Sequence, residues 1–296
     1  MGNVLGKSFF SPGKFILSGE HSVVYGYPAL VSPLSVGVTV AVVNDSSSNQ
    51  REYIAEILQL FAATFSKDAT GLVVQINSEL PEKSGFGSSA AVANAVLQAL
   101  CDHFAVELSK DQHFSFVLEA EKMIHGNPSG ADVAAVVHGQ TLLYTKAPIP
   151  QWKNVVVKKP RTVLLIQSGA AQESTGEMVA LVADKKAQEK EVTQQLEQMA
   201  EQTKRWYTEL TTGSDSVFPN ELVSENNKLL TKLGVVGQRA QQMIAEIEAI
   251  GGAAKVTGAG GVAAGSGWLL ATHPVIDTLA QFAINHGWET QASTVQ

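Results

Sequence analysis

The sequence predicts an α+β protein of two domains, on three observations. Segments with period-two hydrophobicity and segments with helical spacing follow one another without regular β-α alternation, which argues against a doubly wound sheet. The chain has 296 residues, 45% hydrophobic and 17% charged, a composition that supports a sizeable core. Its character changes after the stretch from Pro148 to Pro160, which places an expected boundary near Lys159. Domains of residues 1–159 and 160–296 are therefore expected.

In the first domain, Val36, Val38, Val40 and Val42 alternate through SVGVTVAVV and mark a strand. REYIAEILQLFAATF sets Ile54, Ile57, Leu58, Phe61, Ala62 and Phe65 at helical spacing. GLVVQINSE is a second strand, leading through Pro81 into a glycine- and serine-rich turn. A helix runs from that turn to about Phe104. The next starts near Ser109, where Ser109 and Gln112 have capping-box spacing, and stops at Gly126. Asp132 follows the turn GNPSG and begins a short helix, and TLLY is a short strand. In the second domain RTVLLIQSG is a buried strand, and one long charged helical stretch is expected from about Glu173 to Leu210. Helices near Glu221–Leu233 and Gly237–Ile250 precede the glycine run KVTGAGGVAAGSG, the strand WLLAT and a last helix from Pro274.

Composition removes several function classes. A net charge of −7 argues against nucleic-acid binding and against a polybasic membrane surface. The single cysteine, Cys101, excludes an internal disulfide and reads as a core residue among Leu97, Leu100 and Phe104. No stretch reaches the ~18 apolar residues of a membrane span. The opening MGNVLGKS lacks a signal-peptide core, and Gly6 stands where a myristoylation signal needs a hydroxyl. The cytoplasm is the expected compartment.

Four segments could carry chemistry. SGFGSSAAVANAVLQAL, from Ser84, joins a flexible hydroxyl-rich turn to a helix start, where uncapped amides and the helix dipole favour an anion. One serine suffices as N-cap; the other is left for a phosphate or a magnesium ion. Gly85, Gly87 and Ala90 also fit G-x-G-x-x-A, with Glu107 about twenty residues on, so an NAD-dependent oxidoreductase is a rival. In SPGKFILSGEHSVVYGYPALV, Lys14, Glu20 and His21 interrupt an apolar, strand-like run. They are either solvent-facing charges or a lysine near a reacting centre with two residues lining a polar pocket. In EAEKMIHGNPSGADVAAVV, Glu121 shares a stripe with Phe114, Val117, Leu118 and Ile124, where an acid needs a cation to justify it. Glu119 points elsewhere as a solvated charge, His125 suits a helix C-terminus, and Asp132 is a dipole partner or a catalytic acid. KVTGAGGVAAGSG supplies a further backbone-rich loop.

In this order and spacing the segments resemble the GHMP kinase superfamily, most closely its mevalonate kinase family. PGKFILSGEHSVVYGYPAL looks like that family's first motif. PEKSGFGSSAA is similar to its phosphate loop, with Phe86 for the usual leucine. EKMIHGNPSGAD is similar to the segment with its metal-binding glutamate and catalytic aspartate. KVTGAGG looks like the third motif, although Val262, Ala263 and Ala264 follow where the family continues in glycine.

The resemblance implies a ribosomal-protein-S5-like N-terminal domain and a ferredoxin-like C-terminal domain, with the active site in the cleft between. It implies transfer of the ATP γ-phosphoryl group to the 5-hydroxyl of mevalonate, in isoprenoid biosynthesis. On it, Asp132 is the general base and Lys14 stabilises its charge and the developing alkoxide. Glu20, His21, Lys14 and Asp132 contact mevalonate, and Ser89 and Glu121 hold Mg²⁺. Lys83, Gly85, Phe86, Gly87, Ser88, Ser89 and Ala90 surround the ATP phosphates, and Gly258, Gly260 and Gly261 close over them. A homodimer is the family expectation. The other readings are a GHMP kinase acting on phosphomevalonate, homoserine or a sugar, a related decarboxylase, the oxidoreductase above, and a non-catalytic sensor.

Overall fold

Alternating valines make a long strand, as their period requires. In the computed structural model, which describes residues 7–44, 51–81, 84–126, 128–146, 149–215 and 217–296, β1 spans Phe9–Ser18 and β2 spans Ala29–Asn44. Contacts divide the chain into two units. The first is Met1–Lys14, Ser35–Glu82 and Phe86–Gly139; the second is Phe15–Leu34, Lys83–Gly85 and Gln140–Gln296.

In the first unit the valine-rich half of β2 pairs antiparallel with β3 (Leu72–Ser78), Val40 opposite Ile76. α1 (Glu52–Phe65) buries Ile54, Ile57, Leu58 and Phe61 along one stripe. The Phe61 ring stacks at 5.6 Å on Phe104 and meets Phe116 edge-on at 6.2 Å. These rings join α1 to α2 (Ser88–Phe104) and α3 (Lys110–His125). α3 opens with the expected capping box: Gln112 N–H donates to Ser109 Oγ at 3.3 Å, and Ser109 N–H to Gln112 Oε1 at 2.8 Å. It stops at Gly126. α4 (Ala131–His138) is the short helix expected around Asp132. Asn94 of α2 is buried, and its Nδ2 donates to Ser11 Oγ at 3.0 Å and to the Val136 carbonyl of α4 at 3.1 Å. Cys101 is buried in α2, and burial pushes its thiol up to about 11, which leaves it inert.

The second unit holds β4 (Leu142–Thr145), which pairs with β5 (Gln151–Asn154) and with the Ala29–Val31 end of β2. The elements that follow are β6 (Arg161–Gln167), α5 (Thr175–Gln188), α6 (Lys190–Thr212), α7 (Asn220–Leu233) and α8 (Gln238–Ala249). The chain then closes with β7 (Ala253–Val256), β8 (Trp268–Thr272), α9 (Ile276–Asn285) and β9 (Thr290–Val295). Four of these strands form an antiparallel sheet ordered β7-β8-β6-β9. Its core includes Leu164, Ile166, Met178, Val182, Val192, Leu196, Leu230 and Ile244.

Several details differ from the sequence expectation. The last boundary between the two units falls between Gly139 and Gln140. β4 is drawn into the second unit by its pairing with Ala29–Val31, which the sequence pattern does not reveal. The long stretch from Glu173 is two helices, broken at Glu189 in extended backbone (φ −123°, ψ 115°). Val182 before the break and Val192 after it enter the same core. β5 and β9 escape hydrophobic periodicity because QWKN and TQASTV are mostly polar. Among the described residues, no helix is long and apolar enough to cross a membrane.

Asn94→Ala removes two buried hydrogen bonds that tie α2 to Ser11 and to α4. Urea unfolding should show a loss of about 1–3 kcal/mol with an unchanged m-value.

Candidate active site

Gly130, in the left-handed region at φ 83°, turns the chain into α4 and puts Asp132 in its first turn. Lys14 reaches the same place from β1, and its Nζ lies 2.9 Å from Asp132 Oδ1. The Lys14 side chain is 4% exposed and that of Asp132 is 37% exposed. The ammonium is therefore enclosed while the carboxylate keeps a face open to a ligand. Lys14 N–H donates to the Phe86 carbonyl at 2.9 Å, which fixes this part of β1 against the glycine turn. Gly87 completes that contact at φ 68°: a Cβ there would lie 3.0 Å from Lys14 Cγ and 3.7 Å from Asp132 Cβ.

Gly87 is also the N-cap of α2, with no side chain capping the helix. Neither Ser88 nor Ser89 serves as the cap, contrary to the sequence expectation for one of them. The first amides of α2 thus keep their capacity for an anion. Gly85 adopts φ 75° in open space, and Phe86 turns inward. Lys83 lies outside the described residues.

Ser89 and Glu121 meet as expected: Ser89 Oγ donates to Glu121 Oε2 at 3.1 Å. Tyr53 of α1 donates to Glu121 Oε1 at 3.1 Å and to the Ser89 carbonyl at 3.4 Å. His125 Nε2 lies 3.4 Å from Ser89 Oγ and 3.7 Å from Glu121 Oε2. Burial pushes the Glu121 carboxyl above its ordinary range, and the Asp132 charge adds to this. The Ser89 hydroxyl, His125 and the Tyr53 hydroxyl pull it back. Burial and the neighbouring Glu121 raise the Tyr53 phenol. A buried carboxylate with a hydroxyl beside it offers hard oxygen ligands, a donor set that fits Mg²⁺. Among the described residues no group of three or more His, Cys, Asp or Glu could hold a metal. Mg²⁺ suits so small a protein share, since it takes its other ligands from water and substrate phosphates. Glu119 instead pairs with Lys122 at 2.6 Å on the surface.

The second unit places the remaining expected residues. Glu20 is enclosed and ion-paired with Lys255, both side chains at 0% exposure. His21 Nε2 meets the Ala259 carbonyl at 2.9 Å, and burial lowers its pKa against the opposing pull of that carbonyl. Gly258 (φ 110°) has open space where a side chain would stand. Gly260 does not, since a Cβ would fall 2.1 Å from the Val235 carbonyl oxygen. Gly261 N–H donates to that carbonyl at 3.1 Å, and the amides of Val262 and Ala263 donate to the Glu173 carboxylate at 3.3 and 2.8 Å.

Sequence reasoning missed Tyr53, Lys255 and Glu173. Tyr53 shares the inner stripe of α1 with Ile57 and Phe61, a position where a polar tip needs a partner. Lys255 is a charge inside the fully buried strand Ala253–Val256. Glu173 carries no local signal.

Comparison with known proteins gives the family. The GHMP kinases N terminal domain family matches residues 52–140. The mevalonate kinase of Archaeoglobus fulgidus is 31% identical over 264 residues, covering 85% of this chain and 88% of its own. The chain belongs to the GHMP kinase family. Its fold is that of GHMP kinases as well. The L. major mevalonate kinase in complex with R-mevalonate superimposes with a TM-score of 0.82 at 21% identity, covering 100% of this chain and 99% of that one. The Streptococcus pneumoniae phosphomevalonate kinase in complex with phosphomevalonate and AMPPNP gives 0.79 at 16% identity, covering 98% and 100%. Within this GHMP kinase the matched span 52–140 holds Tyr53, Ser89, Glu121 and Asp132.

Gly87→Ala should strain the turn and displace Lys14. A stability loss of about 1–3 kcal/mol by thermal unfolding is expected, together with a fall in turnover.

Proposed function

We propose that this kinase transfers the γ-phosphoryl group of ATP to the 5-hydroxyl of mevalonate, with Mg²⁺. The observation that carries the reading is the Lys14–Asp132 pair, a buried ammonium bound to a carboxylate that remains accessible. Phosphoryl transfer asks a protein mainly for positioning and charge neutralisation. Asp132 accepts the hydroxyl proton as the substrate oxygen bonds to the γ-phosphorus and the bond to the departing ADP oxygen breaks. An aspartate is a weak base toward an alcohol, so the adjacent Lys14 ammonium lowers the barrier by stabilising negative charge on the oxygen.

The uncapped start of α2 and the turn at Gly85–Gly87 supply amides for the nucleotide phosphates. Ser89 and Glu121 would hold Mg²⁺, which neutralises phosphate charge when bound. Tyr53 orients Glu121 through its hydroxyl. Gly258 and Gly260 are assigned to the nucleotide, and His21 to mevalonate, on the family motifs they occupy. The relatives named mevalonate kinase favour mevalonate over phosphomevalonate, homoserine or a sugar. The oxidoreductase reading leaves Lys14, Glu121 and Asp132 without roles.

A coupled ADP-release assay across these alcohols tests the substrate: turnover of mevalonate is expected, and turnover of a sugar or phosphomevalonate alone would overturn the assignment. Asp132→Asn should cut kcat by roughly 10²–10⁴-fold, with ATP affinity within a few-fold of wild type by calorimetry. Tyr53→Phe should raise the Mg²⁺ concentration for half-maximal rate by roughly 10-fold, and Glu121→Gln should raise it further in the same titration.

A further inference from the structure

The turn at residues 19–21 is under strain. Ser22 N–H donates to the Glu20 carbonyl at 2.7 Å, closing a three-residue turn around His21. His21 sits at φ 59°, ψ −45°, close to the rare strained form of the γ-turn and unusual for a residue with a side chain. Gly19 before it adopts φ 100°, where a Cβ would lie 2.5 Å from Ala29 Cα. Strain of this kind persists only where the surroundings over-determine it, and it gathers at functional sites.

Here the surroundings come from the third glycine motif. Thr257 Oγ1 accepts from Ile16 N–H at 2.8 Å and donates to the Ile16 carbonyl at 3.0 Å. Lys255 Nζ donates to the Ile16 carbonyl at 3.3 Å, to the Val256 carbonyl at 3.0 Å and to Glu20 Oε1. Asn226 Nδ2 approaches Glu20 Oε2 at 3.5 Å, and His21 itself meets Ala259. The two segments are thus fastened at three points, with Ile16 held by Thr257 and Lys255, Glu20 by Lys255, and His21 by Ala259. The Lys255 ammonium places all of its donors inside the fold. Burial lowers its pKa, with the Glu20 carboxylate opposing.

We propose that Lys255 and Glu20 form a positioning pair that holds the strained turn, so that Glu20 acts on the substrate by presenting His21 and does not touch it. The inference rests on the proposed function only for its kinetic readout. A side chain with 0% exposure and a cation on its carboxylate has no surface to offer a ligand. Removing one partner leaves the other charged and buried, whereas removing both leaves a neutral site.

The test is a double-mutant cycle on the full-length enzyme with Lys255→Met, Glu20→Gln and the double variant, and with Lys255→Arg as the conservative control. Melting temperature, kcat and KM for mevalonate and ATP are read for each. Both single variants should lower the melting temperature and raise KM for mevalonate by about 10-fold, with smaller changes in kcat. Lys255→Arg should fall between them and wild type. The double variant should recover the melting temperature and bring KM for mevalonate within about 3-fold of wild type. Recovery of melting temperature with KM still raised would overturn the proposal, since Glu20 would then contact substrate itself. Wild-type KM in the single variants would overturn it as well. If Lys255→Met does not fold, Glu20→Gln and the double variant still separate positioning from direct contact by the same two readouts. Failure of the proposed function appears separately, as wild-type enzyme inactive on mevalonate, and the melting-temperature cycle still reports whether the pair is coupled.

Discussion

A buried ammonium must be answered by an anion, and the organisation of the candidate site follows from how Lys14 is answered. An enclosed ammonium left without its partner is destabilising, so the fold must deliver Asp132 to Lys14 reliably. It does so with backbone more than with side chains. β1 is locked to the glycine turn through Lys14 N–H and the Phe86 carbonyl. Gly87 lacks the side chain that would press on Lys14. Gly130 turns the chain into α4 at the residue before the helix, and Asn94 ties α4 to α2 from behind. Each of these features is local and small, and together they leave the Asp132 carboxylate as the accessible end of the pair.

Much of this was legible in the sequence, for identifiable reasons. Ser109 and Gln112 announce α3 because a capping box needs nothing beyond its own four residues. Glu121 is found by its place on an apolar stripe, since a buried acid without a partner is costly enough to be a signal. The stripe of α1 is equally plain. What could not be read depends on residues far apart in the chain. Glu20 and Lys255 are separated by 235 positions, so the first motif shows a charge and not its partner. Likewise β9 is polar, and it is a strand because β6 offers it an edge. The break at Glu189 carries no glycine or proline to announce it.

The two glycine-rich loops prove physically different. The first needs glycine for conformation and clearance, at Gly85 and Gly87, and stays open at the helix start. The third is crowded at Gly260 and Gly261, where added side chains would strike Val235, Ala171 and Gly265. Immediately afterwards the sequence departs from the family in Val262, Ala263 and Ala264. There the Val262 and Ala263 amides are taken by Glu173, just ahead of α5. Once a carboxylate caps those amides, they no longer need to lie open to a ligand, and ordinary side chains are tolerated. Val262 accordingly stands exposed. The departure therefore falls on a part of the loop closed by its own protein, while Gly258 keeps open space around it.

An acidic chain that handles a polyanion must create positive potential locally, and in the first unit the Lys14 ammonium and the uncapped amides of α2 supply it. Two carboxylates stand close enough for the charge of one to disturb the other, as the effect of Asp132 on Glu121 shows. Their surroundings separate their duties. Asp132 is partly exposed beside an ammonium, so its negative charge is already answered and it can receive a proton from a ligand. Glu121 is buried among the hydroxyls of Ser89 and Tyr53, with the His125 ring 3.7 Å from its Oε2. Burial raises its carboxyl above the ordinary range, so an added cation would relieve the cost of its charge. What separates the two carboxylates is their company, an ammonium for Asp132 and hydroxyls with a neighbouring imidazole for Glu121, and it needs no difference between the carboxyl groups themselves.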